Sequence, residues 1–178
     1  MTQPTTRSND TIAVDVNADG WRTALGGDAA AQAIAVAAAT AALASAGPSC
    51  PVEIGVRLTG DDEMRALNNN FRGRDTVTNV LSFALAEEDA SLEFGLPPFE
   101  SAPKLLGDVV AAYETCASEA KDQAKPLADH LRHMVVHGVL HLLGYDHETD
   151  DEAVQMEALE RKILASLGVP DPYARAAA

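Results

Sequence analysis

Residues 126–147 read PLADHLRHMVVHGVLHLLGYDH, and this stretch decides both the architecture and the chemistry. Leu127, Leu131, Met134, Val135, Val136, Val139, Leu140, Leu142 and Leu143 leave almost no polar face, so the segment reads as a helix buried within a domain. At about 100° per residue, His130, His133, His137 and His141 fall in one stripe roughly 80° wide. Imidazoles on a buried helix require partners. His137 and His141 are one turn apart and can face a common target. Gly144 is placed to end the helix in a left-handed C′ conformation, turning the chain so that His147 approaches the other two. Three imidazoles with a fourth position open are the donor set of a catalytic Zn²⁺ site, whereas a structural zinc closes its tetrahedron with protein ligands. His130 and His133 read as packing residues or hydrogen-bonding support. Asp146 fits equally a turn residue and a group that orients a ligand.

What the motif lacks is also informative. In the HExxH zinc proteases a Glu follows the first His and acts as general base. Here that position is Gly138, which weighs against a peptidase.

Outward from this helix, the chain alternates between strand and helix patterns. Ile12–Val16, Glu53–Thr59, Val80–Leu85 and Leu106–Ala111 read as strands. Residues 29–46, 61–71, 112–124, 126–143 and 150–167 read as helices. The early β-α-β order predicts parallel pairing, and the last two strands, joined by an acidic loop (Glu87, Glu88, Asp89, Pro97, Pro98, Pro103), predict a hairpin. The expected fold class is α+β with an α/β-type mixed sheet. It comprises a single domain over 11–170, about four strands covered by about five helices, and a metal site at the end of a buried helix. Residues 1–10 are expected to be a disordered tail and 171–178 a frayed one.

The 178 residues, 47% of them hydrophobic, suffice for one domain with its own core. Cys50 and Cys116 form no CxxC, which fits a reducing cytoplasm, and the polar start MTQPTTRSND has no signal-peptide core. The alanine-rich run Ala29–Ala46 resembles a membrane span in hydropathy. It contains Gln32, Thr40 and Ser45 and lacks Lys or Arg flanks, so it reads as a helix packed closely on a sheet. The net charge of −14 opposes general binding to phosphates. Arg57, Arg65, Arg72 and Arg74 nonetheless group within 18 residues.

A second constellation is Leu67-Asn68-Asn69-Asn70-Phe71-Arg72-Gly73-Arg74-Asp75, followed by Thr78-Asn79-Val80-Leu81-Ser82-Phe83. Caps, turn formers and solvated charges account for part of it. Together with Leu106-Gly107-Asp108, the histidine segment and the trailing Met156, Glu157 and Glu160, it resembles the YbeY family of bacterial endoribonucleases and rRNA maturation factors over about residues 50–170. The resemblance implies a single-strand-specific, Zn²⁺-dependent endoribonuclease. It would act on the 3′ end of 16S rRNA and in ribosome quality control, in the cytoplasm, with one zinc on His137, His141 and His147 and with Arg72 and His137 as catalytic residues. Implied partners are ribosomal RNA, the small ribosomal subunit, ribosomal protein uS11 and the GTPase Era. Neither a membrane nor DNA is expected. Arg57, Arg65 and Arg74 are the further candidates for contact with RNA. This chain has Thr78-Asn79 where the family often has Thr-Asp; a catalytic carboxylate there would be lost, whereas a turn role would survive.

Zinc could polarise a phosphate or lower the pKa of water toward about 7, and Arg72 could grip phosphate oxygens bidentately. Two other readings stand beside the nuclease. One is a ribosome-associated assembly factor with a structural zinc. The other is a metal-dependent hydrolase of another substrate such as a peptide.

Overall fold

In a computed structural model, which describes residues 9–85 and 103–174, four strands form one mixed sheet flanked by helices. The order along the chain is β1 Thr11–Val16, α1 Asp19–Leu25, α2 Asp28–Ala46, β2 Val52–Thr59, α3 Asp61–Arg72, β3 Val80–Ala84, β4 Lys104–Ala112, α4 Tyr113–Asp122, α5 Leu127–Leu142 and α6 Asp150–Ser166. The acidic loop lies outside the described residues except for Pro103, as does most of the N-terminal tail. The strands stand in the order β1-β2-β4-β3. β1 pairs with β2 in parallel and β3 with β4 antiparallel, as the segment order predicted; β4 also pairs with β2 in parallel, which leaves β3 at the edge.

The helices number six among the described residues, one more than expected. The additional one, α1, is a single short element carrying Gly20 and ending at the glycine pair 26–27, so it has no apolar period to read. It forms because Trp21 is fully buried, donating its indole N–H to the Thr59 carbonyl at 3.0 Å and meeting Tyr113 edge-on at 5.4 Å. Gly20 makes room for that tyrosine: a Cβ there would lie 2.2 Å from the ring.

The main core lies between one face of the sheet and α2 and α5. α2 buries Ala31, Ala35, Ala38, Ala39 and Ala42 completely. With alanine at most of its buried positions, α2 packs on both α5 and β1. Its membrane-like composition is thus used for close packing inside the domain. Opposite, Met64 and Leu67 of α3 pack on Val110, Ala112, Leu81 and Phe83, giving a smaller second cluster. Successive strand residues face opposite sides, so β3 sends Phe83 toward α3 and Ser82 toward α5, where the Ser82 hydroxyl donates to the Gly138 carbonyl at 3.1 Å.

The C-terminal segment makes side-chain contacts as far as Tyr173. Arg161 pairs with Asp171 at 3.3 Å and lies 4.8 Å over the Tyr173 ring, Lys125 donates to the Pro172 carbonyl at 2.6 Å, and the Tyr173 hydroxyl donates to Glu160. Two cations and a buried carboxylate therefore hold the described part of this tail.

Candidate metal centre and the cavity it faces

The centre is built by the end of α5 and the turn that follows. Gly144 adopts φ +89°, with its N–H donating to the His141 carbonyl and the Tyr145 N–H donating to the Leu140 carbonyl, both at 3.0 Å. A side chain would be strained at that φ. The turn brings the His147 ring within 5.4 Å of His137 and 5.0 Å of His141, centroid to centroid, and those two rings lie 4.6 Å apart. Asp146 accepts from the His147 N–H at 2.8 Å, a local turn bond. Thr149 and Glu152 close a reciprocal capping box that starts α6 directly afterwards.

The three histidines fit a metal. One ring nitrogen from each lies within 4.8 Å of the others, and the Nε2 atoms of His137 and His141 face each other at 3.1 Å. Zn–N bonds of about 2.0–2.1 Å in a tetrahedron set donors about 3.3–3.4 Å apart. Among the described residues the cluster has three donors. Burial lowers the pKa of His141, helped by its proximity to His137 and His147, which favours the neutral form that a metal requires.

Beneath the ligands lies Glu160, whose part sequence reasoning missed. Its Oε1 stands 2.7 Å from Nδ1 of His137, and Oε2 stands 3.4 Å from Nε2 of His133 and accepts from Tyr173. A carboxylate at Nδ1 holds that nitrogen protonated and leaves the Nε2 lone pair of His137 aimed at the centre. Glu160 is fully buried. Burial alone would raise its pKa, yet hydrogen bonds from His133, His137 and Tyr173 outweigh it and hold the group at about 2. His133 therefore supports the site indirectly. His130 is engaged elsewhere, with its Nε2 2.8 Å from Glu119.

Gly138 explains the absent proteolytic base. A Cβ there would fall 2.5 Å from Val109 Cγ1 and 3.2 Å from the Ser82 hydroxyl. The position where HExxH enzymes carry Glu is pressed against the sheet and has no room for one.

His137, His141 and His147 open into a cavity of ≈770 Å³ whose other walls include Phe71, Arg72, Asn79, Ser82, Asp146 and Glu148. Arg72 is positioned by the last turn of α3 and donates Nη2–H to the Ser82 carbonyl at 3.1 Å. Asn79 donates to both Glu119 oxygens at 3.0 and 3.2 Å, and its own Oδ1 accepts from the Val80 N–H at 2.7 Å. Here the amide serves strand entry, and a carboxylate at 79 would stand against Glu119.

The structure does not gather the remaining arginines at the centre. Arg57 pairs with Glu63 at 2.9 Å and lines a separate cavity of ≈540 Å³ with Asp15, Gly55 and Asp108. Arg65 is held bidentately by Asp75 at 2.7 and 2.8 Å. Both are paired with carboxylates. Arg74 stays near the site, in a cavity that adjoins Arg72.

The match to a family is decisive. Residues 22–168 fit the family model described as endoribonuclease YbeY. The chain belongs to the YbeY family. It is 51% identical over 163 residues to the endoribonuclease YbeY of Paramagnetospirillum magneticum, covering 91% of this chain and 94% of that one. The YbeY of Rhodopseudomonas palustris strain HaA2 is 48% identical over 161 residues, with 90% and 80% covered. The solution structure of TM1509 from Thermotoga maritima superimposes with TM-score 0.52 at 23% identity, covering 93% of this chain and all of that one, a likeness of fold. The relatives sharing about half of this chain's residues are named as endoribonucleases, so this YbeY chain is a hydrolase of RNA by family.

Proposed function

We propose that this YbeY protein is a zinc-dependent, single-strand-specific endoribonuclease. It matures the 3′ end of 16S rRNA and takes part in ribosome quality control, in the cytoplasm and on the small subunit with uS11 and Era. One observation carries the reading: a three-histidine cluster shares a single cavity with an arginine that has no carboxylate partner among the described residues. Bound there by His137, His141 and His147, zinc supplies a Lewis acid and eases deprotonation of water near neutral pH.

The chain's own groups do the rest. Arg72 spends one N–H on the Ser82 carbonyl, which fixes the guanidinium and leaves the other donors for non-bridging phosphate oxygens as negative charge builds there. His137, locked by Glu160, keeps one nitrogen directed into the cavity. Phe71, 67% exposed on the cavity wall and edge-on to Phe83 at 5.1 Å, offers its face to an unpaired base. That supports single-strand selectivity. Asp146 and Glu148, which line the same cavity, repel phosphate, which favours delivery of the RNA by a ribosomal partner over free diffusion.

The test is cleavage of a precursor 16S rRNA 3′-end fragment by zinc-loaded protein, beside Arg72→Ala and His141→Ala proteins prepared identically. Cutting by the wild type alone is the expected result. Equal cutting by all three, or by none, would replace this reading with that of an assembly factor holding a structural zinc.

A further inference from the structure

The metal cavity shares the wall residues Arg72, Thr78 and Leu81 with a second cavity of ≈460 Å³ whose remaining walls are Asn68, Arg74, Thr76 and Val77. The segment that frames it is held at several points. Gly73 takes φ +65° at the end of α3, and the Gly73 and Arg74 N–H groups donate to the Asn69 and Asn68 carbonyls. Buried Asn68 donates to the Thr76 carbonyl at 2.7 Å, and the bidentate Arg65–Asp75 pair fastens the turn from outside. The cavity is therefore formed in advance of any ligand.

Charge pairing singles this place out. Among the described residues, Arg22 is paired with Asp19 and Asp28, Arg57 with Glu63 and Asp15, Arg65 with Asp75, Arg132 with Asp129, and Arg161 with Glu157 and Asp171. Of the arginines described, only Arg72 and Arg74 lack a carboxylate. Arg72 has a backbone carbonyl alone, and both guanidiniums line the same second cavity. In a chain of net charge −14, two adjoining unneutralised arginines form a local electropositive trap, and among the described residues no carboxylate lines the cavity to cancel it.

We infer that this second cavity is a phosphate subsite. Arg74, with Arg72 at the shared wall, holds a backbone phosphate of the single-stranded RNA adjacent to the one presented to the histidines. The inference rests on the nuclease reading and adds to it where the strand runs: from the histidines, past Arg72, along the C-terminal end of α3. Thr76 and Thr78 place hydroxyl donors on the same path. Arg74 is a binding and positioning residue here, acting on affinity and register and not on the reacting atoms.

The experiment uses the zinc-loaded full chain and a fluorescein-labelled single-stranded oligouridylate, with the dissociation constant measured across a series of KCl concentrations. Each phosphate neutralised on a single strand contributes about 0.7 to the slope of log K against log salt. Arg74→Ala should weaken binding and reduce that slope by about 0.7, Arg74→Lys should restore the slope, and Lys162→Ala, exposed on α6 and lining neither cavity, should leave it unchanged. Since the Arg74 side chain holds no hydrogen bond or ion pair among the described residues, the melting temperature serves as a control and should not move. An unchanged slope in Arg74→Ala, or an equal fall in Lys162→Ala, overturns the subsite. If wild type and Arg74→Ala still cut the rRNA fragment in that case, the nuclease reading stands. If the wild type neither binds the oligouridylate nor cuts the fragment, both fall.

Discussion

Oε1 of Glu160 stands 2.7 Å from Nδ1 of His137, so a fully buried carboxylate on α6 determines which nitrogen of a candidate ligand on α5 is free. Carboxylates placed behind metal-binding histidines fix the ring and raise its basicity. Glu160→Gln should therefore lower zinc affinity by about 10–100-fold. Competition against a chromophoric chelator measures this directly. An unchanged affinity would mean that the contact is packing only.

Gly138 tests the closeness of α5 to the sheet. Gly138→Ala drives a methyl group to 2.5 Å from Val109 Cγ1, and overpacking of this kind costs about 1–3 kcal/mol. Denaturant unfolding should show that loss, and Val109→Ala in the same chain should recover part of it through coupling between neighbours. Additive losses would place the strain elsewhere.

The two thiols should behave oppositely. Cys50 is exposed and Cys116 buried, and burial pushes the Cys116 thiol pKa far up, with Glu119 and Asp61 adding to it. A thiolate is the reactive form. Titration of the native protein with a disulfide reagent should consume one thiol quickly, and the second only after unfolding. Two fast thiols in the native state would contradict the packing of α4.

Acid should weaken the junction of β2 and α3. The Glu63 carboxyl is held below its usual range chiefly by a hydrogen bond from the Thr59 hydroxyl, which overcomes partial burial, and then by Arg57. A depressed folded-state pKa adds stability above the unfolded value, near 4.5, and that contribution disappears as pH falls through the folded value. Melting temperature against pH should therefore fall less steeply below about pH 4.5 in Glu63→Gln than in the wild type. Parallel curves would remove Glu63 from the acid transition.

The clustering of the three histidines was legible from sequence because its geometry is local: four-residue spacing and a helix-ending glycine bring His137, His141 and His147 together. Glu160 is 23 residues from His137, and its contact depends on how α6 lies against α5. A signal existed even so, since Met156, Glu160, Ile163 and Leu164 share one buried face of α6, and a carboxylate in such a stripe needs a partner. How the arginines pair was not legible, for the complementary reason. Proximity in sequence does not fix the direction of a side chain, and Arg57 on a strand and Arg65 on a helix each found a nearby acid. The parallel start and the closing hairpin of the sheet followed from alternating segments, whereas α1 depends on burial of Trp21 and is invisible to periodicity.

The support of the metal centre has an order in time. His137, His141 and His147 emerge from synthesis before Glu160, and Glu160 before Tyr173, whose hydroxyl donates to it. A chain released as far as α5 holds His137 and His141 without the carboxylate that aligns them, and one that ends before residue 173 lacks the hydrogen bond that steadies that carboxylate. The centre is thus finished from its C-terminal side, and a nascent chain acquires its full geometry only once the segment after α6 has folded back.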